Sequence, residues 1–155
     1  MNELTFREVT DDNFKVVINL SNTLTDTQKK CVAANVKSLA QAYLHQKTAW
    51  PRAVYLEEMP IGFIMLDIDP QDFPEEDQPI LYLWRFMIAL DYQGKGYGKR
   101  VLDMLVQKCR EEGRKALYLS CHTEEPMPYQ FYIKYGFIDI GRRDDGEEIL
   151  KYDIR

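Results

Sequence analysis

The chain has 155 residues, 45% of them apolar and 29% charged, with a formal net charge of −5. That length fits one domain over residues 1–155, and a domain of about 150 residues buries roughly 68–70% of its unfolded surface, enough for one core. The acidic balance argues against nucleic acid as a generic partner, because that affinity comes mainly from neutralised phosphates, and weakly favours a cationic partner. No apolar run approaches the roughly 20 residues that span a bilayer. The opening MNELTFREV lacks the cationic and apolar regions of a signal peptide, so the expectation is a cytoplasmic protein without a membrane partner. Cys31, Cys109 and Cys121 are odd in number and widely separated, which predicts reduced thiols and no metal knuckle.

Leu4 to Val9 alternates apolar and polar residues and predicts an opening strand. Thr10-Asp11-Asp12 supplies an N-cap and early acidic charge for a helix carrying Phe14, Val17 and Ile18. Ser21 and Asn22 interrupt it. A second helix is expected from about Thr25-Asp26 to His45, with Val32, Val36, Leu39, Ala40 and Tyr43 on its apolar face. Trp50-Pro51 ends the helical region, since proline disfavours helix in the residue before it. Ala53 to Glu57 and Ile61 to Asp69 then form a hairpin around Glu58-Met59-Pro60. Asp69 to Pro79 is an acidic loop punctuated by prolines, longer than most loops of a compact domain.

Leu81 to Ala89 reads as a buried strand, and Gln93-Gly94-Lys95-Gly96-Tyr97-Gly98 follows it. Val101, Leu102, Leu105, Val106 and Cys109 then repeat at helical spacing as far as the terminator Gly113. Ala116 to Cys121 is a short strand, parallel to Leu81–Ala89 because a helix crosses between them. A short helix carries Phe131, Tyr132 and Tyr135, and two last strands flank the Asp144-Asp145-Gly146 turn. The order is β-α-α-β-β-β-α-β-α-β-β, an α/β mixed sheet with helices on both faces.

The glycine turn carries the clearest chemistry. Three glycines in five positions permit positive φ and close backbone approach, so successive N–H groups can share one concavity with the helix's positive end. Such a cradle suits a pyrophosphate, although a glycine-rich turn without a ligand has the same composition. A Walker loop is excluded because Lys99-Arg100, with no hydroxyl, follows Gly98. A dinucleotide fingerprint is excluded because the spacing is G-x-G-x-G.

Gln93-x-x-Gly96-x-Gly98 after Phe86-Met87-Ile88, followed about 40 residues later by Tyr132-x-x-x-Gly136-Phe137, resembles the GNAT acyltransferase superfamily. Tyr82-Leu-x-x-Phe86-x-Ile88-x-x-Asp91-Tyr92-Gln93-Gly94 is similar to the polyamine (spermine/spermidine) N-acetyltransferases within it. The resemblance implies the GNAT fold and acetyl-CoA as co-substrate, with no metal. It places the pyrophosphate on Gln93, Gly94, Lys95, Gly96, Tyr97, Gly98 and Lys99, and the pantetheine arm against Phe86, Met87 and Ile88. It also implies that Tyr132 is the general acid toward the departing thiolate, which is chemically sensible for a phenol and an alkyl thiol. Cys121, ending the neighbouring strand, either lines the same gap or packs in the core.

The acceptor implied is a small-molecule amine, probed by the acidic Asp67 to Asp77 region, with Glu57, Asp67 and Glu75 as candidate carboxylates and Trp84 as a candidate wall. Some polyamine acetyltransferases carry an acidic residue where this chain has Trp84, which cannot be a base. Trp84 either stacks on a cationic amine or belongs to the core. Without that base, a water relay to Glu57, Asp67 or another carboxylate is the expectation. Two further departures are Glu125, where many members have an asparagine contacting the coenzyme, and Pro128, where alanine is common. His45 and His122 are read as surface or structural groups. Three alternatives stay open: a peptide amine, an antibiotic amine, or a coenzyme-binding sensor without catalysis. Many members of the superfamily form a homodimer, an assembly that the sequence does not fix.

Overall fold

The computed structural model describes residues 2–124 and 127–155. Seven strands form one sheet: β1 (Leu4–Arg7), β2 (Ala49–Leu56), β3 (Met59–Asp67), β4 (Ile80–Ile88), β5 (Ala116–Cys121), β6 (Ile138–Asp144) and β7 (Glu147–Asp153). Their spatial order is β1-β2-β3-β4-β5-β7-β6. Among the described residues only β4 and β5 are parallel, and the crossover between them is α4 (Tyr97–Glu111). Around the sheet lie α1 (Phe14–Leu20), α2 (Asp26–Lys29), α3 (Asn35–Leu44) and α5 (Tyr129–Tyr135).

Helical spacing of apolar residues decides which face α4 buries. Val101, Leu102, Leu105, Val106 and Cys109 are all buried, packed with Leu81, Leu83, Leu117 and Leu119 of the central strands. On the opposite side, Val17, Leu20 and Ala42 from α1 and α3 cover Ala53, Phe63, Met65 and Met87. The central strands are therefore covered on both faces, which is why β3 reads as an unbroken apolar run from Ile61 to Leu66.

The single helix expected from Thr25 to His45 is two helices. Thr25 and Gln28 close a capping box that starts α2, which ends at Lys29. The chain restarts at Asn35, which is 1% exposed. Its side chain donates to the Val17 carbonyl at 2.8 Å, and its N–H donates to Ser21 Oγ at 3.0 Å. This anchor rotates α3 so that Asn35, Ser38 and Ala42 face inward, while Val36 and Tyr43 are exposed. The apolar face expected from spacing holds at Val32 and Leu39, which pack against the core, and is corrected at Val36, Ala40 and Tyr43, where the hydrogen-bonded asparagine sets the helix rotation.

β2 starts at Ala49, so Trp50-Pro51 lies inside a strand and does not bound the helical region. Pro51 is tolerated because β1 pairs β2 only from Ala53 to Leu56, leaving the outer side of Pro51 without a ladder partner. β3 and β4 approach closely at Gly62, which pairs with Ile88. A Cβ at Gly62 would lie 2.5 Å from the Met87 carbonyl oxygen, a backbone atom that cannot swing aside. Gly62→Ala is expected to lower stability by about 1–3 kcal/mol in chemical denaturation, because β4 must shift to admit the methyl. An unchanged midpoint would show that the two strands are not held this tightly.

Candidate functional site

β4 and β5 are neighbours over only part of their length. They pair from Ile80↔Ala116 to Leu83↔Leu119 and no further. At that point β4 carries a bulge: Leu66 pairs with Leu83, but Met65 pairs with Arg85, which leaves Trp84 as the extra residue. A bulge bends its strand and sharpens the local twist. Beyond it β4 stays with β3 and leaves β5, opening a wedge edged by its backbone groups from Trp84 to Ile88. Gln93 partly closes the far end, its Nε2 donating to the Ile88 carbonyl at 2.9 Å and to Gln28 Oε1 at 3.5 Å.

The glycine turn lies at the outer end of this wedge. Gly94 and Gly96 have φ of 72° and 87°, and a Cβ on either would meet nothing within 4 Å. Their backbone thus borders open space in a conformation that other residues rarely adopt. Gly96 caps α4, whose first internal bond runs from the Arg100 N–H to the Gly96 carbonyl at 3.3 Å. The N–H groups of Tyr97, Gly98 and Lys99 have no acceptor within the helix, and the dipole of a 15-residue helix adds to them. A Cβ at Gly98 would come 3.2 Å from the Phe131 ring, so this glycine lets α5 pack on the turn.

A cavity of about 470 Å³ joins these parts. Phe86, Met87, Ile88, Gln93, Gly94, Gly96, Gly98 and Lys99 line it, as do Leu24, Gln28, Val32 and Phe131, none of them expected at the site from the sequence. Lys95 and Tyr97 are not in its wall. Lys95 Nζ sits 5.9 Å from the Tyr92 ring, and Tyr97 packs against the core beneath Arg100.

A second cavity of about 860 Å³ opens from the wedge on its inner side, lined by Trp84, Arg85, Asp67, Tyr82, Ser120 and the Asp144–Glu147 turn among others. Cys31, Val32, Phe86, Pro128 and Tyr132 belong to both cavities. Tyr132 is therefore at their junction, 6% exposed. Burial pushes its phenol well above the ordinary tyrosine value, with the Cys121 thiol adding to the rise. Cys121 is itself pushed up to about 12 by burial and nearby carboxylates. Among the described residues the Tyr132 hydroxyl makes no hydrogen bond. Trp84 both lines the larger cavity and packs with the α1–α3 core, edge-on to His45 at 6.0 Å.

The candidate carboxylates separate. Asp67 lines the larger cavity, its carboxyl raised mainly by burial, and it accepts the Asp69 N–H at 2.9 Å. Glu57 does not reach either cavity. It occupies the β2–β3 turn at φ 52° and accepts the Glu3 N–H at 3.0 Å. Glu75 begins an exposed 3-10 turn outside both cavities, and of the acidic loop it is Asp72 that faces the larger one. Asp144, Asp145 and Glu147 bring acidity from the other side, where the sequence shows only a turn. Pro128 lines both cavities, whereas Glu125 lies outside the described residues.

A wedge between two parallel strands, with a glycine cradle at one end and a buried phenol at its centre, is the layout of an acyltransferase. Residues 22–137 match the acetyltransferase (GNAT) family, and the chain belongs to that family. It is 28% identical over 154 residues to a spermine/spermidine N(1)-acetyltransferase of Bacillus subtilis strain 168, covering 95% of this chain and 96% of that one. Its fold is similar to an acetyltransferase from Thermus thermophilus, with TM-score 0.77, 17% identity and 99% of each chain covered. It is also similar to the PaiA N-acetyltransferase from Thermoplasma acidophilum in complex with coenzyme A, with TM-score 0.70 and 17% identity over 97% and 99% of the two chains.

Gly96→Asp is expected to weaken acetyl-CoA binding at least tenfold by calorimetry, since its carboxylate enters the open space beside the three free N–H groups. Unchanged affinity would remove the anion-cradle assignment.

Proposed function

We propose that the protein transfers the acetyl group of acetyl-CoA directly to a primary amine, with a polyamine such as spermidine or spermine as acceptor. The observation that carries this reading is the placement of Tyr132 where the two cavities meet. The coenzyme occupies the smaller cavity, its pyrophosphate on the Gly94–Lys99 cradle and its pantetheine arm along Phe86, Met87 and Ile88. The acceptor enters through the larger cavity. Free N–H groups of β4 polarise the thioester carbonyl, and positioning of amine against thioester supplies much of the rate.

Tyr132 then acts at the sulfur. A phenol raised by burial is a poor acid toward a thiol in water, yet the leaving thiol sits in the same surroundings. Burial acts in the same direction on any thiol there, as it does on Cys121, which burial first and then the carboxylates of Glu147, Asp139 and Glu148 push up to about 12. Phenol and thiol rise together, so the proton can still be shared as the C–S bond breaks. The polyamine assignment draws first on the named Bacillus relative; Asp67 and Asp72 on one side of the cavity and Asp144, Asp145 and Glu147 on the other offer spaced carboxylates, among which stand Lys30, Lys37, Arg85, Arg142 and Arg143. Trp84 adds an aromatic face for a cationic chain.

A second reading, transfer to a peptide or antibiotic amine, is favoured by Arg85. This half-buried guanidinium lines the acceptor cavity and spends its bonds on the Trp84 carbonyl and Gln41, with Nε buried and unpartnered. Such a cation suits an acceptor rich in carbonyl or hydroxyl oxygens.

A panel of spermidine, spermine, an aminoglycoside and short peptides separates the readings, with turnover of spermidine or spermine expected to exceed the rest. No polyamine turnover would sink the substrate assignment, and acetyl-CoA binding without transfer to any amine would make the protein a coenzyme sensor. Tyr132→Phe is expected to lower thiol release about 100-fold while leaving acetyl-CoA affinity within about twofold by calorimetry. Equal turnover by the two proteins would remove the acid role.

A further inference from the structure

We propose that Tyr82, Ser120 and Glu147 form a proton relay that neutralises the acceptor's ammonium group, the task for which β4 carries no carboxylate at Trp84. The proposal rests on the acetyl-transfer reading above. An ammonium nitrogen has no lone pair, and a primary amine with a pKa near that of lysine, about 10.4, is neutral in roughly one molecule per thousand or fewer at pH 7. A route for that proton must begin where the amine waits.

The three side chains are linked and well placed. Tyr82 Oη lies 2.6 Å from Ser120 Oγ, and Ser120 Oγ donates to Glu147 Oε2 at 3.5 Å. All three line the larger cavity with Trp84 and Tyr132. Tyr82 and Ser120 bracket the last paired residues of the two strands, Leu83 and Leu119, so they stand at the fork of the wedge. Alternation along a strand sends successive side chains to opposite faces. Leu83, Leu119 and Cys121 join the cluster containing Tyr132, whereas Tyr82 packs with Tyr118, Phe73 and Ile149 on the other face. An amine approaching the thioester from the face opposite Tyr132 therefore passes the two hydroxyls.

The chain of bonds has one direction. Because Ser120 donates to a carboxylate, its oxygen accepts from Tyr82, and a lone pair of Tyr82 Oη is left for the ammonium N–H. One N–H bond breaks, its electrons staying on nitrogen as the attacking pair. The proton goes to Tyr82 Oη as the tyrosine's own proton passes to Ser120 and that of Ser120 to Glu147. The products are a neutral amine and a protonated Glu147, which returns the proton to solvent. Asp67 has no such connection, its Oδ1 being held by the Asp69 N–H.

Several charged groups surround the Glu147 end of the chain. Arg85 on β4 attracts it, and Asp144 across the turn adds negative charge to the Tyr82 end of the chain. Cys121 on β5 stays a neutral thiol, and His122 lies beside the Gly146 turn, within 3.9 Å of the position a Cβ there would take. Asp145, Arg142 and Asp72 face the same cavity, while Arg143 is engaged by Glu148 at 2.6 Å.

The test compares kcat/KM of the wild type, Ser120→Ala, Ser120→Thr and Glu147→Gln for the best amine of the panel at about pH 7 and about pH 9.5, with acetyl-CoA affinity measured for each as a check on folding. Ser120→Ala and Glu147→Gln are expected to lose about 10–100-fold near neutrality and to come within about threefold of wild type at the higher pH, where solution supplies neutral amine. Ser120→Thr, which keeps the hydroxyl, is expected to retain most activity. A loss of equal size at both pH values, or no loss, overturns the relay while leaving acetyl transfer intact. Wild-type protein that binds acetyl-CoA but acetylates no amine at either pH overturns both.

Discussion

The separation of β4 from β5 is the constraint on which the site depends. Parallel strands normally satisfy each other's backbone groups along their shared length, and an unpaired buried group is costly. Here pairing stops at Leu83 and Leu119, where the bulge at Trp84 turns β4 away. The unpaired backbone of β4 is held by β3 on its other side, with Gly62 allowing the two strands their close approach. A fixed strand with N–H groups unpaired along one edge, its Trp84 and Ile88 carbonyls taken by Arg85 and Gln93, is a template for an extended polar chain such as pantetheine.

The same wedge divides the chemistry between two faces. α4 and α5 close one face and bring the glycine cradle and Tyr132; α1 to α3 and the two acidic loops close the other. Cys31 and Val32, in the break between α2 and α3, reach both cavities, so the interruption of that helix gives the site part of its wall. The proposed acid and base are thereby kept apart, with Tyr132 in the hydrophobic cluster and the Tyr82–Ser120–Glu147 chain on the other side of the wedge. Opposite surroundings are what let a protonated phenol and a charged carboxylate serve one reaction at one pH.

What the sequence made legible follows the range of the forces involved. The apolar face of α4 and the strand preceding the glycine turn are local patterns, and both appear in the structure within a residue or two of expectation. The position of Tyr132 beside the wedge was implied by the resemblance of Tyr132-x-x-x-Gly136-Phe137 to the acyltransferase superfamily. The bulge at Trp84 was not, because it is a property of the pairing between β3 and β4 and of neither strand alone. Nor was the burial of Asn35, which depends on Ser21 and the Val17 carbonyl. Glu57 and Glu75 looked suitable as carboxylates in an acidic chain but line neither cavity, while Glu147, which no sequence pattern picked out, lines the larger one.

A crystal structure of the protein with coenzyme A tests the central claim most directly, that the wedge holds the coenzyme and presents its sulfur to Tyr132. The pyrophosphate is expected on the Gly94–Lys99 turn, the pantetheine arm along Phe86 to Ile88, and the sulfur within about 4 Å of Tyr132 Oη, the reach of a sulfur hydrogen bond. Coenzyme bound outside the wedge, or with its sulfur pointing away from Tyr132, would contradict it.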